Sequence, residues 1–258
     1  MTRVPGHKRQ VDELIVEEPM SIQLDGIQVT TTMRTPGHDY ELAVGFCHSE
    51  GLLGGAPVVG VRYCADGSAV SSEFNVVTVE TGGRAPAFAP RLGLTSTSCG
   101  LCGSDSIDTL CARLAPLDDA HAAAFEVESF ARLCHSVLAG QTLFNTTGAV
   151  HGGAAFDAEG NILVVREDVG RHNAVDKVVG WGFGEGLLPL DEAVLCVSGR
   201  LSFELVQKTA CAGAPVLVGV GAPSSLAVEL ARAQGITLCG FARGGRFNVY
   251  AGGERIAG

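Results

Sequence analysis

Two cysteines near residue 100 stand in a setting where thiols can react. The stretch TSTSCGLCGSDSID, residues 95–108, places Cys99 and Cys102 in a Cys-x-x-Cys pair among Ser, Thr and Gly, without hydrophobic periodicity. A Cys-x-x-Cys arrangement or a nearby helix N-terminus lowers the pKa of a thiol, and the thiolate is the reactive form. The pair is therefore predicted to be functional, as a metal ligand, a redox couple or a carrier of sulfur.

The surroundings of the pair argue against two of these uses. Structural zinc commonly needs two Cys pairs, and a zinc deaminase needs His-x-Glu followed by Pro-Cys-x-x-Cys. This chain has one pair, Ser98 replaces the proline, and the HSE at 48–50 lies nearly fifty residues away. A thioredoxin-like pair would follow a first strand and open a long helix, whereas this one ends a long loop. We therefore predict no zinc and no other metal site.

The part of the chain before the two thiols is predicted to form hairpins and one helix. Asp25-Gly26 and Asp66-Gly67 each stand between alternating runs, which is a hairpin signal, and HDYELAVGFCHSEG between them has helical spacing with Gly51 as its stop. A Gly-, Pro-, Ser- and Thr-rich loop follows from about residue 83 to 104. These patterns predict a small hairpin-rich α+β domain over residues 1–110.

From residue 147 onward, apolar strands alternate with helices. Strands are predicted in GAVHGGAAF, ILVVRED, AVLCVSG, VLVGVGA, ITLCGFA and RFNVYAG, and helices in GRHNAVDKVVGWGFG, LSFELVQKTACAGAP and SSLAVELARAQG. This alternation predicts right-handed crossovers and a mostly parallel sheet covered on both faces, which is the α/β class. Residues 111–258 are assigned to this second domain.

Polar and basic residues follow three of these strands. The candidates are Arg166, Asp168, Arg171, His172 and Asn173, then Ser198, Gly199 and Arg200, then Arg243, Gly244, Gly245 and Arg246. Ligands of α/β sheets bind beyond the carboxyl ends of strands, Arg suits phosphate, and Gly lets backbone N–H groups approach it. The clusters together predict a phosphate-rich ligand, with His151 as a further lining residue.

Each cluster also has a structural interpretation. The first could be a solvated connection with a helix cap at Asp168, and the third a glycine hairpin with exposed arginines. Glu204 and Lys208, four residues apart, could form an ordinary helix ion pair. His151 beside glycine could be structural.

The overall charge limits the class of partner. The formal net charge is -10, so the chain lacks the basic footprint of a nucleic-acid binder, and an anionic ligand needs a local basic cluster. The first residues have no apolar signal-peptide region, and no run of about 18 apolar residues predicts a membrane span. We expect a cytoplasmic protein whose thiols stay reduced.

Several long motifs resemble one known family. TMRTPGHDYELAVGF…SEG, SCGLCG, REDVGRHNAVDK, SGRLSFELVQK and AVELARAQGITLCGFARGGRFNVY occur in that order between about residues 14 and 251. They resemble the FdhD family, accessory sulfurtransferases of formate dehydrogenase. The resemblance implies a small N-terminal α+β domain, a C-terminal cytidine-deaminase-like domain of three layers (α/β/α), and a homodimer.

The resemblance also implies a chemistry and its residues. Cys99 looks like the loop cysteine that receives persulfide sulfur from a cysteine desulfurase, and Cys102 like the second thiol. The acceptor is the molybdenum cofactor, bis-molybdopterin guanine dinucleotide, bound as substrate and then inserted into formate dehydrogenase. The segment from Phe241 through Ala242 to Arg246 is similar to the family's cofactor-binding segment, so GDP should bind as a partial mimic. Ser104 departs from the family, which usually has Lys just after the pair.

Two other classes of function stay open at this point. A protein that only binds and delivers the cofactor would need the arginine clusters but not the thiols. A zinc-dependent nucleobase deaminase would instead contain stoichiometric zinc.

Overall fold

The structure is a computed structural model of the chain. It describes residues 2–3, 8–9, 11–64, 69–70, 72–88, 94–95, 116–117, 125–126, 133, 136–137 and 139–257. Cys99 and Cys102 lie outside these ranges, as does the predicted domain boundary at residues 110 and 111. Those predictions are therefore not tested by the fold.

The N-terminal half contains a mixed five-stranded sheet. Its strands are β3 (Glu18–Leu24), β4 (Ile27–Arg34), β5 (Gly60–Tyr63), β6 (Val76–Glu80) and β7 (Leu94–Thr95), in the order β5-β6-β3-β4-β7, after a short ribbon of β1 (Thr2–Arg3) and β2 (Lys8–Arg9). The predicted turn at Asp25-Gly26 is confirmed, since both residues have positive φ, 49° and 83°, as a type I′ turn requires.

The second predicted hairpin pairs differently from expectation. β5 is antiparallel to β6, but the connection runs from Cys64 to Asn75 and is much longer than two residues. Part of that connection folds on itself, because Phe74 N–H bonds to Ala69 O and Asn75 N–H to Ser72 O. The two-residue signal at Asp66-Gly67 therefore did not fix the strand that pairs with β5.

The predicted N-terminal helix is present as α1 (Asp39–Ser49). It packs its buried side chains against β3 and β6 in one apolar cluster with Met20, Ile22 and Val77. Gly51 follows the helix end with a φ of 69° and donates its N–H to His48 O, so the predicted stop is confirmed.

The C-terminal half contains a six-stranded sheet in the order β10-β9-β11-β12-β13-β14. Its strands are β9 (His151–Phe156), β10 (Ile162–Asp168), β11 (Val194–Val197), β12 (Val216–Gly219), β13 (Thr237–Arg243) and β14 (Arg246–Ala251). Two short strands, β8 (Phe125–Glu126) and β15 (Ile256–Ala257), pair with each other in a separate sheet. The helices are α2 (Thr142–Thr147), α3 (Arg171–Gly184), α4 (Phe203–Cys211) and α5 (Ser225–Ala233), with a 3₁₀ turn at Gly253–Arg255.

The expectation of a mostly parallel sheet is wrong. Only β11, β12 and β13 are parallel neighbours, whereas the β10–β9, β9–β11 and β13–β14 pairs are antiparallel. Short turns join β9 to β10 and β13 to β14, and a short turn can only connect antiparallel strands. Both larger sheets are therefore mixed, and the described elements form a mixed α+β fold.

The two faces of the C-terminal sheet are covered by different segments of the chain. The crossover helices α3, α4 and α5 share one apolar cluster on one face, through side chains such as Val178, Leu205 and Leu230. The three parallel strands run in the spatial order of the chain, so successive right-handed crossovers return to the same face. On the other face, Leu133 and Val137 pack against Phe156 and Val218.

Helices α1 and α3 join the two halves at close range. A Cβ atom on Gly45 of α1 would overlap the Asp176 carbonyl oxygen, and one on Gly180 of α3 would overlap the Glu41 carbonyl oxygen. The two helices therefore touch through their main chains. This contact fixes the N-terminal sheet against the face of the molecule that carries α3.

Candidate functional site

One edge of the C-terminal sheet collects most of the predicted site residues. The parallel strands β11 and β13 both end there, and antiparallel β9 begins there, because Val197 is paired with Gly153 and Ser198 N–H bonds to Gly152 O. β10 ends at the same edge, where Asp168 is paired with His151. The topological argument for a shared edge is therefore confirmed.

Five of these residues are grouped, and we call them the strand-end cluster. They are His151, Arg171, Ser198, Gly199 and Arg200. Ser198 Oγ accepts a hydrogen bond from Gly152 N at 2.9 Å and lies 3.4 Å from His151 Nδ1. A Cβ on Gly199 would lie 3.0 Å from Arg171 Cδ and 3.6 Å from His151 Nδ1, so glycine allows the imidazole and the guanidinium stem to meet over this loop.

A second glycine holds the neighbouring loop against the cluster. Gly221, which follows β12, donates its N–H to Gly199 O at 3.0 Å, and a Cβ there would lie 2.8 Å from Arg200 Cα. The same residue accepts from Phe241 N–H at 3.1 Å. The loops after β11 and β12 and the last residues of β13 thus lie side by side along the edge.

The strand-end cluster carries a local positive charge. Within the described ranges, neither Arg171 nor Arg200 forms an ion pair, and the buried Arg171 Nε has no hydrogen-bond partner. Burial, together with the Arg200 charge, lowers the pKa of Arg171, while Glu204 opposes this. A buried donor left unpaired costs roughly 1–3 kcal/mol, and more when it is charged, so an anion here would be stabilising.

His151 is held in its neutral form by this setting. Burial is the largest cause that lowers its pKa, and Arg171 and Arg200 add to the effect, whereas Asp168 acts in the opposite direction. An imidazole between two cations disfavours a third positive charge. The cluster therefore combines two guanidinium groups with an imidazole whose neutral form is favoured.

His172 is anchored away from the open edge. Its Nε2 lies 3.0 Å from Ser202 Oγ and 3.1 Å from Glu204 Oε2, at the start of α4. The ion pair between Glu204 and Lys208 that their helical spacing allowed is replaced by other contacts. Glu204 lies beside His172, and Lys208 contacts Asp176 and Glu50.

Arg166, Asp168 and Asn173 are placed in an internal contact, which we call the joint, between residues 33–41 and residues 166–177. Asp168 is fully buried, pairs with Lys177 Nζ at 2.8 Å and accepts from Thr35 N at 3.1 Å. Asn173 Nδ2 donates to Met33 O at 2.8 Å, and Arg166 makes two contacts to the Glu41 carboxylate.

The expectation that these three side chains project into the ligand crevice is corrected by the joint. The end of β4, the turn after it and the start of α1 lie against them, and their polar atoms bond to Met33 O, Thr35 N and the Glu41 carboxylate. Asp168 Oδ1 also accepts from Gly170 N at 2.9 Å, but Gly170 is the N-cap of α3 and no side chain caps this helix, so the alternative of a cap at Asp168 is wrong.

The FARGGR segment forms the hairpin between β13 and β14. Gly244 and Gly245 have φ of 57° and 74°, and Arg243 is paired with Arg246, with both side chains exposed. Phe241 is 40% exposed with a φ of 55°, which is uncommon for an aromatic residue, whereas Ala242 is buried in the core. The hairpin alternative is correct as geometry, and the binding role of the segment stays a prediction.

Two residues of the joint were missed by the sequence argument. Thr35 bonds through Oγ1 to Val169 N at 3.1 Å, and Lys177 Nζ donates to Thr35 O at 2.9 Å. A signal for Lys177 was available, because it follows Asn173 by one helical turn and directly precedes the apolar pair Val178–Val179. A lysine on a buried helix face needs an acidic partner.

The strand that precedes the Cys-x-x-Cys pair is described, although the pair itself lies outside the described residues. β7 runs parallel to β4, with Leu94 paired to Thr31 and Thr95 to Thr32. Just beyond these pairs, β4 enters the joint at Met33. The described residues contain no group of three or more His, Cys, Asp or Glu side chains placed to hold a metal ion, and none of their helices is long and apolar enough to cross a membrane.

Comparison with known proteins gives consistent matches over the whole chain. The sequence model of the FdhD/NarQ family matches residues 15–257. A protein named sulfur carrier protein FdhD from Nocardia farcinica is 46% identical over 253 residues, 97% of this chain and 90% of that protein. One of the same name from Streptomyces avermitilis is 49% identical over 257 residues, 95% of this chain and 89% of that protein. The crystal structure of a protein from Desulfotalea psychrophila, assigned as a formate dehydrogenase accessory protein, matches with a TM-score of 0.77 at 26% identity, covering 100% of this chain and 96% of that one.

Proposed function

This chain belongs to the FdhD/NarQ family, and from that premise we propose that it is a sulfur carrier for the activation of formate dehydrogenase. Cys99 receives the outer sulfur of a persulfide on a cysteine desulfurase and delivers it to the molybdenum cofactor, bis-molybdopterin guanine dinucleotide. Cys102 is the second thiol of the pair. The relatives' names support the sulfur-carrier role, and the accessory protein of known structure supports the link to formate dehydrogenase.

The first chemical step requires only a thiolate and an accessible donor. The Cys99 thiolate attacks the outer sulfur of the donor persulfide, one S–S bond forms as another breaks, and the donor thiolate leaves. No external oxidant or reductant is needed for that exchange. Two of the other described thiols are poorly suited to it, because burial raises the pKa of Cys47 to about 12 and that of Cys211 to about 11.

The strand-end cluster is the proposed site for the phosphates of the cofactor. The observation that carries this is the buried, unpaired Nε of Arg171 beside Arg200, in a chain whose formal net charge is -10. A focused basic site is needed to attract an anion against that overall charge. Phe241 lies near the end of β13 and the Arg243–Arg246 hairpin follows at the same edge, where we propose that they contact the guanine nucleotide end.

The described strand that precedes the Cys-x-x-Cys pair lies close to the start of α3. Thr95 is paired with Thr32 of β4, and Thr32 Oγ1 lies 3.4 Å from Asn173 Oδ1, two residues after Arg171. Cys99 is four positions after Thr95 in the sequence, and four Cα–Cα steps span at most about 14 Å. This short chain length is compatible with transfer from Cys99 to a cofactor bound at the edge.

Sulfur uptake tests the proposal directly. The purified protein is incubated with a cysteine desulfurase and cysteine, and its intact mass is measured before and after a reducing thiol. We expect the reducible gain of one sulfur atom in the wild type, no gain in Cys99→Ser, and a normal gain in the matched control Cys211→Ser. An unchanged yield in Cys99→Ser would place the persulfide on another cysteine.

Delivery of the sulfur is a separate measurement. Cys99→Ala should fail to activate formate dehydrogenase in cells that lack the wild-type protein. Full activation by that variant would favour the alternative in which the chain only binds and delivers the cofactor. We also propose a homodimer in the cytoplasm, and light scattering of the purified protein tests the dimer.

A further inference from the structure

We infer that His151 is a proton-linked contact of the strand-end cluster, neutral in the free protein and protonated when a diphosphate-bearing ligand binds. The inference rests on the proposed function in taking the cluster as the phosphate site. It adds to that proposal the protonation state of His151 and a preference for ligands with several negative charges. The two arginines alone do not predict either property.

The hydrogen bonds around His151 fit a neutral ring. Ser198 Oγ already accepts from Gly152 N at 2.9 Å, so its hydroxyl hydrogen is available to a further acceptor. His151 Nδ1 lies 3.4 Å away and can be that acceptor only when it carries no proton. The other ring nitrogen, Nε2, then carries the hydrogen of the neutral tautomer.

The charges that face His151 come from three elements. Arg171 lies at the start of α3, Arg200 lies in the loop after β11, and Asp168, the single carboxylate among them, ends the neighbouring strand β10. Asp168 is already paired with Lys177 at 2.8 Å. The net local charge is positive, and it lowers the pKa of His151 together with burial.

A bound polyanion reverses this balance. The phosphate charges offset those of the two guanidinium groups, so the imidazolium is no longer repelled and the pKa of His151 rises. Binding then takes up a proton at pH values between the pKa of the free and that of the bound state. Affinity therefore increases as the pH falls through that interval, by at most about tenfold per pH unit for one proton. A diphosphate gains more from the third positive charge than a monophosphate does.

Proton uptake is measured by titration calorimetry with GDP near pH 7 in two buffers of different ionisation enthalpy. The apparent enthalpy of the wild type should depend on the buffer in the direction of uptake. His151→Gln keeps a polar side chain of similar reach and should lose that uptake, and what remains is the contribution of the GDP phosphates. His38→Gln is the matched control, since its pKa is also lowered but it lies on the turn before α1.

A second measurement does not depend on a variant that binds well. The imidazole proton signal of His151, assigned by its loss in His151→Gln, is titrated in the wild type with and without inorganic pyrophosphate. We expect the midpoint to move to higher pH with pyrophosphate. An unmoved midpoint, or equal proton uptake in the wild type and His151→Gln, overturns the inference.

The failure of the inference is distinguishable from that of the proposed site. If the double variant Arg171→Ala, Arg200→Ala loses GDP binding while His151 takes up no proton on binding, the phosphate site is supported and the inference about His151 is wrong. Should the double variant bind GDP as the wild type does, or the wild type not bind it at all, both the site and the inference are wrong.

Discussion

At the residue scale, the same polar side chains suited two different roles. Asp168 and Asn173 were predicted to face a ligand, but Asp168 bonds to Thr35, a residue 133 positions away in the chain. Residue types alone cannot separate these roles, because a carboxylate suits a ligand and a buried backbone N–H equally well. The neighbouring Arg171 lies in the strand-end cluster beside Gly199, and its role in binding stays a prediction.

The arginines of the edge should differ in their contribution to ligand binding. Arg171 is half-buried with an unpaired Nε, whereas Arg246 is exposed on its hairpin. We expect Arg171→Ala to weaken GDP binding by about 1.5–3 kcal/mol, the range for charge-assisted hydrogen bonds, and Arg246→Ala by about 0.2–1 kcal/mol, as for exposed pairs. Titration calorimetry measures both.

Arg232→Ala is the control for that comparison. Arg232 lies on α5, away from the edge, and donates to Tyr250 O. A larger loss for Arg246→Ala than for Arg171→Ala would move the phosphate site to the hairpin.

At the element scale, hydrophobic periodicity predicted the strands and helices of the C-terminal half well. The pairing of strands was harder to predict in both halves, because direction depends on the length of each connection and on partners distant in sequence. β5 illustrates this, since the nearby Asp66-Gly67 signal pointed to a partner that begins several residues before β6. The crossing of α1 and α3 had a signal in Gly45 and Gly180, but no local pattern shows that two glycines meet.

The glycine contact between α1 and α3 makes a sharp stability prediction. Gly45→Ala would drive a Cβ into the Asp176 carbonyl, so the helices must separate, and we expect a loss of about 2–4 kcal/mol in the free energy of unfolding. Gly184→Ala is the matched control: it is also helical but has open space at its Cβ, so it should be neutral or stabilising by up to about 1 kcal/mol. Urea denaturation distinguishes them, and equal effects would contradict the close packing.

At the scale of the whole molecule, three helices meet around one buried ammonium. Lys208 Nζ lies 2.9 Å from both carboxylate oxygens of Asp176 and 3.6 Å from Glu50, and over the ring of Phe46 at 5.5 Å. Two carboxylates share one cation here. Burial is the main reason that the pKa of Asp176 is raised from 3.8 to about 6, Glu50 adds to it, and Lys208 opposes it.

This cluster should make stability depend on pH in a definite direction. The folded state binds a proton on Asp176 more readily than the unfolded state does, so this contribution is fully present below about pH 4. It is lost as the pH rises toward 6. Relative to Asp176→Asn, the wild type should therefore lose on the order of 2–3 kcal/mol of unfolding free energy between these pH values. Urea unfolding of both proteins at pH 4 and 7 measures it, and a parallel pH dependence of the two would contradict the raised pKa of Asp176.

The main-chain contact of Gly45 with Asp176 also has an evolutionary consequence. Its two sides come from opposite halves of the chain, as do the Met33–Asn173 and Glu41–Arg166 contacts. A change on one side is tolerated only with a compensating change on the other, so these positions should be inherited as a set. A chimaera that takes residues 1–110 from one relative and the remainder from another should fold only when both parents carry matching versions of this set. Expression of chimaeras from matched and from mismatched parents, followed by a measurement of the folded fraction, tests this.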